Sequence, residues 1–226
     1  MMRKTVLFLS LLLYTSGVRA HHALEFIEME SYSTPRRGGA LFHVHYDYFV
    51  EDADNPDADH WEFTPGFSYG ITDRLMFDAH THFAKFGPDH VVEAHRDEFG
   101  ESGPSPFLEA AAFSLQYRLP EEWPVQVAVV GKVEVPFSRA RRLLGSEDLL
   151  FGGTLILNRE FGTHGAFTIN LDYENEGGEE DWRWAAGVKS PLSSDPHGIA
   201  GGIELLGDFK GDSWSVLPGV YAPIRE

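Results

Sequence analysis

The chain has 226 residues, with 35 acidic against 18 basic side chains, a formal charge of −17 and no cysteine. So acidic a surface repels nucleic acid, and a chain without thiols has neither disulfides nor thiolate metal sites. The length accommodates one large β domain or two small ones, and nothing in it reads as an interdomain linker.

Residues 1–20 stand apart. Arg3 and Lys4 precede an apolar run from Val6 to Leu13, and Val18-Arg-Ala20 is a small-x-Ala cleavage site. This is the pattern of a secretory signal peptide cleaved after Ala20, and it predicts export from the cytoplasm. Cleavage there removes three of the 18 basic residues and none of the 35 acidic ones, so the mature chain is more acidic still. An exported chain of this size without disulfides needs a large core or a membrane to hold it. No apolar run after Ala20 approaches the roughly 20 residues of a transmembrane helix. Residence in a membrane would therefore be as a β-barrel.

Residues 21–38 show weak patterning and end at Pro35 and Gly38-Gly39. They form a leader, placed either on the periplasmic side or as a plug in a lumen. From residue 39 onward alternation takes over. In Leu41–Phe49, Phe42, Val44, Tyr46 and Tyr48 fall on one face, with His43, His45 and Asp47 on the other. His60–Tyr69 sets Trp61, Phe63, Phe67 and Tyr69 against Glu62, Thr64 and Ser68. After the turn at residues 70–73, Leu75, Phe77, Ala79 and Phe83 oppose Asp78, His80 and His82. Period-2 alternation of this kind marks strands.

The pattern continues through Phe107–Arg118, Val125–Val135, Asp148–Asn158, Phe167–Tyr173, Trp182–Lys189, Ile199–Phe209 and a run beginning at Trp214. That makes ten strands and no convincing amphipathic helix. The connections alternate in character. Residues 51–59, 87–105, 136–147, 174–181 and 210–213 are mostly long, polar and charged, whereas 70–73, 119–124, 159–164 and 190–197 are generally shorter and turn-like. Short turns at one end and long loops at the other, with Trp61, Tyr69, Tyr117, Trp123, Trp182, Trp184 and Trp214 near strand ends, fit an outer-membrane barrel with aromatic girdles. The predicted fold is therefore all-β, an antiparallel up-and-down transmembrane barrel spanning residues 39–226.

Two segments carry a family resemblance: Trp61-Glu-Phe-Thr-Pro-Gly-Phe-Ser-Tyr-Gly-Ile-Thr-Asp-Arg74 and Leu217-Pro-Gly-Val-Tyr221. They resemble the Gram-negative outer-membrane transporter barrels grouped with the MetA-pathway phenol-degradation family. In that family a strand ending in Tyr-Gly-Ile/Leu-Thr-Asp-Arg leads into the next strand of a periplasmic hairpin. The resemblance implies a barrel of about a dozen strands, small-molecule transport and insertion by the barrel-assembly machinery. Such barrels end on a strand with a terminal aromatic, whereas this chain stops at Pro223-Ile-Arg-Glu226. That ending predicts a natural protein with a further hairpin, about 12 strands in all.

Several constellations bear on chemistry. His43-Val-His45 and His80-Thr-His82 each put two imidazoles on one strand face. Their strands are separated by one other, hence by about 9–10 Å. The four histidines form either a hydrogen-bonded polar ladder or, if the side chains converge, a site for Cu²⁺, Zn²⁺ or Ni²⁺ with Asp47, Glu62 or Asp78 completing it. His21-His22 at the new N-terminus either chelates copper through its α-amine and imidazole or simply follows the cleavage site. The acidic run Glu51–Asp59 lacks the glycine and closing Glu of a calcium loop. It reads as a solvated loop or one bridged by divalent cations to lipopolysaccharide, and Arg139-Ala-Arg141-Arg142 reads as a loop facing solvent or lipid phosphates.

Arg118, Lys132, Arg183 and Lys189 share the polar face with Glu62, Asp78, Glu134, Asp172, Glu204 and Asp208. A lumen with carboxylates in excess favours cations and polar solutes, unless ion pairs lock it. No catalytic motif is present, and an enzyme is not expected. The expected function is an outer-membrane channel for small solutes, cations or metal-linked species among them. The alternatives are a metal-binding outer-membrane protein that does not conduct, and a soluble periplasmic β-barrel or sandwich that binds a ligand.

Overall fold

The computed structural model describes residues 5–13, 29–50, 55, 59–98, 103–120, 124–144, 148–162, 165–192, 199–210 and 214–221; for 5–13, 49, 50, 96 and 221 it describes the backbone alone. The strands are β1 (Thr5–Leu13), β2 (Ala40–Val50), β3 (His60–Gly70), β4 (Leu75–Phe86), β5 (Phe107–Arg118), β6 (Gln126–Pro136), β7 (Leu150–Phe161), β8 (Gly165–Glu176), β9 (Glu179–Pro191), β10 (Ala200–Asp208) and β11 (Trp214–Tyr221). They form one sheet in sequence order, each strand antiparallel to the next. All ten strands expected from alternation are present, and most are longer than the alternation alone marked. Residues 5–13, the apolar stretch of the expected signal peptide, lie as a strand along β2.

Closure is where expectation and structure part. Among the described residues no pairing joins β1 to β11, so the sheet is open and these two strands are its edges. A barrel needs its first and last strands hydrogen-bonded, and here each keeps one unpaired side. The sheet is nevertheless curled. Glu204 on β10 accepts a hydrogen bond from Met29 N at 3.2 Å, and Gln116 on β5 donates to the carbonyls of Ser31 and Tyr32 at 2.9 and 3.1 Å. Asn170 on β8 donates to Glu30 O at 3.1 Å. In a flat sheet β5 and β10 would stand about 24 Å apart, five strand spacings. The run from Met29 to Tyr32 covers only about 10 Å. The wall therefore rolls around the leader.

The curl buries the polar face. On β5, Leu115 and Tyr117 are 50% and 43% exposed, while Gln116 between them is 1% exposed. Thr64, Ser68, Asp78, Thr154, Asn158, Thr168, Asn170, Lys189 and Glu204 are buried, and Phe63, Phe83, Phe113, Phe151, Phe167, Val188 and Ile203 face outward. Met29 and Tyr32 pack on the small inward residues Ala185 and Ala128 and on Val130 and Ile156.

Among the described residues the largest apolar cluster lies near the long-loop end. Ala84, Phe86, Val91, Phe107, Ala140 and Leu143 pack together there. Pro88–His90 makes a 3-10 turn, Glu93–Arg96 a short helix α1, and Ser138–Leu144 a helix α2 that buries Ala140 and Leu143. Val92 N donates to Leu143 O at 2.9 Å, tying the two loops. The stretch 136–147, expected as a loop, thus holds a helix; two buried residues in seven are too few to show helical periodicity in the sequence. Arg139 lies over the Phe107 ring at 5.2 Å, and Arg141 Nε donates to Pro136 O. The β8–β9 connection, expected to be long, is a two-residue turn at Gly177 and Gly178, with φ of +58° and +94°. No helix among the described residues is long and apolar enough to cross a membrane.

Candidate functional site: the polar interior

Register places the inward residues in rows across the sheet. One row runs His43, Gly66, His80, Ala112, Glu134 from β2 to β6. Another runs Ser68, Asp78, Ser114, Lys132, Gly152, Glu174, Asp181 from β3 to β9. Both contain a glycine between two functional side chains. A Cβ at Gly66 would lie 2.0 Å from His43 Nε2, so the imidazole occupies the space a side chain would fill. A Cβ at Gly152 would lie 2.5 Å from the Lys132 side chain. In each case the missing side chain lets groups two strands apart approach one another.

Across Gly66 the result is a cluster. His80 Nδ1 is 2.9 Å from Asp78 Oδ1, His43 Nε2 is 3.9 Å from Asp78 Oδ2, and Ser68 Oγ donates to Asp78 Oδ2 at 2.6 Å. One donor atom each from His43, Asp78 and His80 lie within 4.8 Å of one another. Two imidazole nitrogens and a carboxylate oxygen are a donor set for a borderline divalent metal. His45 and His82 belong to the same face but not to this triad. His45 sets its ring edge against His43 at 5.4 Å, while His82 faces Thr64 Oγ1 at 3.5 Å and Glu134 Oε2 at 3.8 Å. His21 and His22 lie outside the described residues.

Across Gly152, Lys132 reaches Glu174, which also pairs with Arg183, and Arg183 Nε meets Asp181 Oδ2 at 3.1 Å. Thr154 Oγ1 donates to Asp172 Oδ1 at 2.6 Å. Glu30 of the leader, Lys132, Thr154, Asp172, Glu174 and Arg183 line a cleft of ≈ 320 Å³. Asp47 and Glu62 face each other in register on β2 and β3. Lys189 and Glu204 are buried on β9 and β10, and Arg118 stacks over the Tyr32 ring at 5.3 Å. The predicted polar residues thus share one face but divide into a histidine end and an ion-paired end. Two contributors escaped the sequence reading. Ser68 was seen only as polar patterning, and Glu30 sat in a leader with no periodicity. The glycines at 66 and 152 were the available signal, because glycine inside a strand marks a close approach.

No protein-family model, curated protein or solved structure matches the chain.

Proposed function

We propose that the chain is the wall of an outer-membrane β-barrel of a Gram-negative bacterium, inserted by the assembly machinery and acting as a channel or transporter for small polar solutes, cations above all. The observation that carries this reading is the reversed polarity of the sheet: buried Gln, Asn, Asp, Glu and Lys inside, and exposed Phe, Leu, Val and Ile outside. Water offers no reason to hide carboxylates and display phenylalanine, whereas lipid does. Aromatic residues at both strand ends add support. Tyr69 and Tyr117 lie at the short-turn end, and Trp61, Trp182 and Trp214 at the other. A soluble lipocalin-like binder or sandwich would present its apolar residues to the interior instead.

Passage would be passive. The wall excludes lipid, the loops 88–98 and 138–144 narrow one mouth, and the inward carboxylates favour positive charge. A second reading, a metal-binding outer-membrane protein that does not conduct, is favoured by the leader at Met29–Tyr32, whose hydrogen bonds reach three strands across the interior.

The test is fractionation of cells expressing the protein, followed by single-channel recording in planar bilayers. The expected result is recovery in the outer-membrane fraction and discrete conductance steps. Recovery in the periplasmic extract would overturn the membrane reading, and a silent outer-membrane protein would overturn the channel.

A further inference from the structure

We infer that His43, His80 and Asp78 form a binding site for one borderline divalent cation of the Zn²⁺, Ni²⁺ or Cu²⁺ class, and that Gly66 is what makes the site. His43 is 8% exposed, and among the described residues its Nδ1 has no hydrogen-bond partner. Nε2 stands 3.9 Å from Asp78 Oδ2, beyond hydrogen-bond reach. A hydrogen-bonded ladder would bring Nε2 within bonding distance of Asp78, whereas 3.9 Å is a spacing that an ion between the two donors can bridge. Nε2 is the nitrogen turned toward Asp78 and is the ligand atom, whereas Nδ1, on the opposite side of the ring, is no part of the site.

The geometry names the ligand class. Donors about 2.0–2.1 Å from an ion at a tetrahedral angle lie about 3.3 Å apart. Here His80 Nδ1 is 2.9 Å from Asp78 Oδ1, His43 Nε2 is 3.9 Å from Asp78 Oδ2, and one donor atom from each of the three residues falls within 4.8 Å of the others. Side-chain rotations that move the donors by up to about 1 Å bring them onto one centre. Two imidazoles disfavour Ca²⁺ and Mg²⁺, which take oxygen ligands. Ser68 supplies the outer support, since its hydroxyl holds Asp78 Oδ2 at 2.6 Å and fixes the carboxylate's orientation. Three protein ligands leave a coordination position facing the interior, where a water or a solute donor would bind.

Gly66 has a separable role. It donates nothing to the ion, but a Cβ there would clash with His43 Nε2 and displace the imidazole. Removing that space should dismantle the site with all three ligands still in the chain.

The experiment is titration of the refolded full chain in detergent with Zn²⁺, using Ca²⁺ as the comparison cation. Wild type, His80→Gln, Asp78→Asn and Gly66→Ala are compared, each checked for β-sheet content by circular dichroism. The site predicts one equivalent of Zn²⁺ that each substitution weakens more than tenfold and that Ca²⁺ does not displace. Equal Zn²⁺ binding in wild type and all three variants, or displacement by Ca²⁺, would overturn it. Because a variant can fail to fold, wild type is also loaded with one equivalent of Cu²⁺. Pulsed electron paramagnetic resonance should then count two imidazole ligands, and a spectrum without imidazole nitrogen would overturn the site independently. The site does not depend on conduction. Zn²⁺ binding by a silent protein would sink the channel and leave the site standing, and a conducting protein without it would do the reverse.

Discussion

At the scale of single residues, orientation on the wall decides what a substitution does. Phe113 is 41% exposed near the middle of β5. If the outside meets lipid, Phe113→Arg should destabilise the folded protein by about 2–4 kcal/mol, measured by urea unfolding in vesicles. An exposed residue on a water-facing sheet would change by only about ±0.5 kcal/mol, and that result would refute the proposed orientation. Gln116 was legible as an inward residue because it alternates with Leu115 and Tyr117. Its role in binding the leader was not, because Ser31 and Tyr32 lie 84 or more positions away in sequence.

Elements differ in how plainly they declare themselves. The ten strands from β2 to β11 were readable because burial on one face imposes a period of two over eight to thirteen residues. The β8–β9 connection, expected as a loop over residues 174–181, is instead a two-residue turn. Its flanks, Asn175, Glu176, Glu179 and Glu180, are polar on both faces at a strand end, so alternation fades before pairing does. The two glycines were the better signal, since a two-residue turn with φ of +58° and +94° calls for them. A Cβ at Gly178 would meet nothing within 4 Å, so Gly178→Ala tests backbone conformation alone. It should lower stability by about 1–2 kcal/mol in the same urea assay without altering conductance. No loss of stability would mean that the turn relaxes to another geometry.

The leader is the other element whose behaviour can be tested. Hydrogen bonds from Met29–Tyr32 to β5, β8 and β10 place it across the interior. Deleting residues 29–34 should raise single-channel conductance if this segment narrows the lumen. Unchanged conductance would mean that solutes pass elsewhere or not at all.

For the molecule as a whole, charge sets the expected selectivity. The polar face carries Asp47, Glu62, Asp78, Glu134, Asp172, Glu174, Glu204 and Asp208 against Arg118, Lys132, Arg183 and Lys189, in a chain of formal charge −17. A reversal potential in a KCl gradient should show preference for K⁺ over Cl⁻, and neutralising Glu62 and Glu134 to Gln should shift it toward zero. Anion preference in the wild type would contradict the proposed filter.

The alternation in the chain was enough to determine the strands, their order along an up-and-down sheet, and which side chains share a face, because each follows from local geometry and sequential antiparallel pairing. It was also enough to set an aromatic face against a histidine and carboxylate face. Which face lies inside was decided only by the curl of the sheet around Met29–Tyr32, a contact between segments distant in sequence. The open edges at β1 and β11 are likewise a property of the assembled sheet. The meeting of His43 with Asp78 and His80 needed both the register that aligns them across β3 and the absence of a side chain at Gly66. Sequence spacing alone leaves those rings about two strands apart. Convergence across a strand is a matter of space, and space is set by tertiary structure.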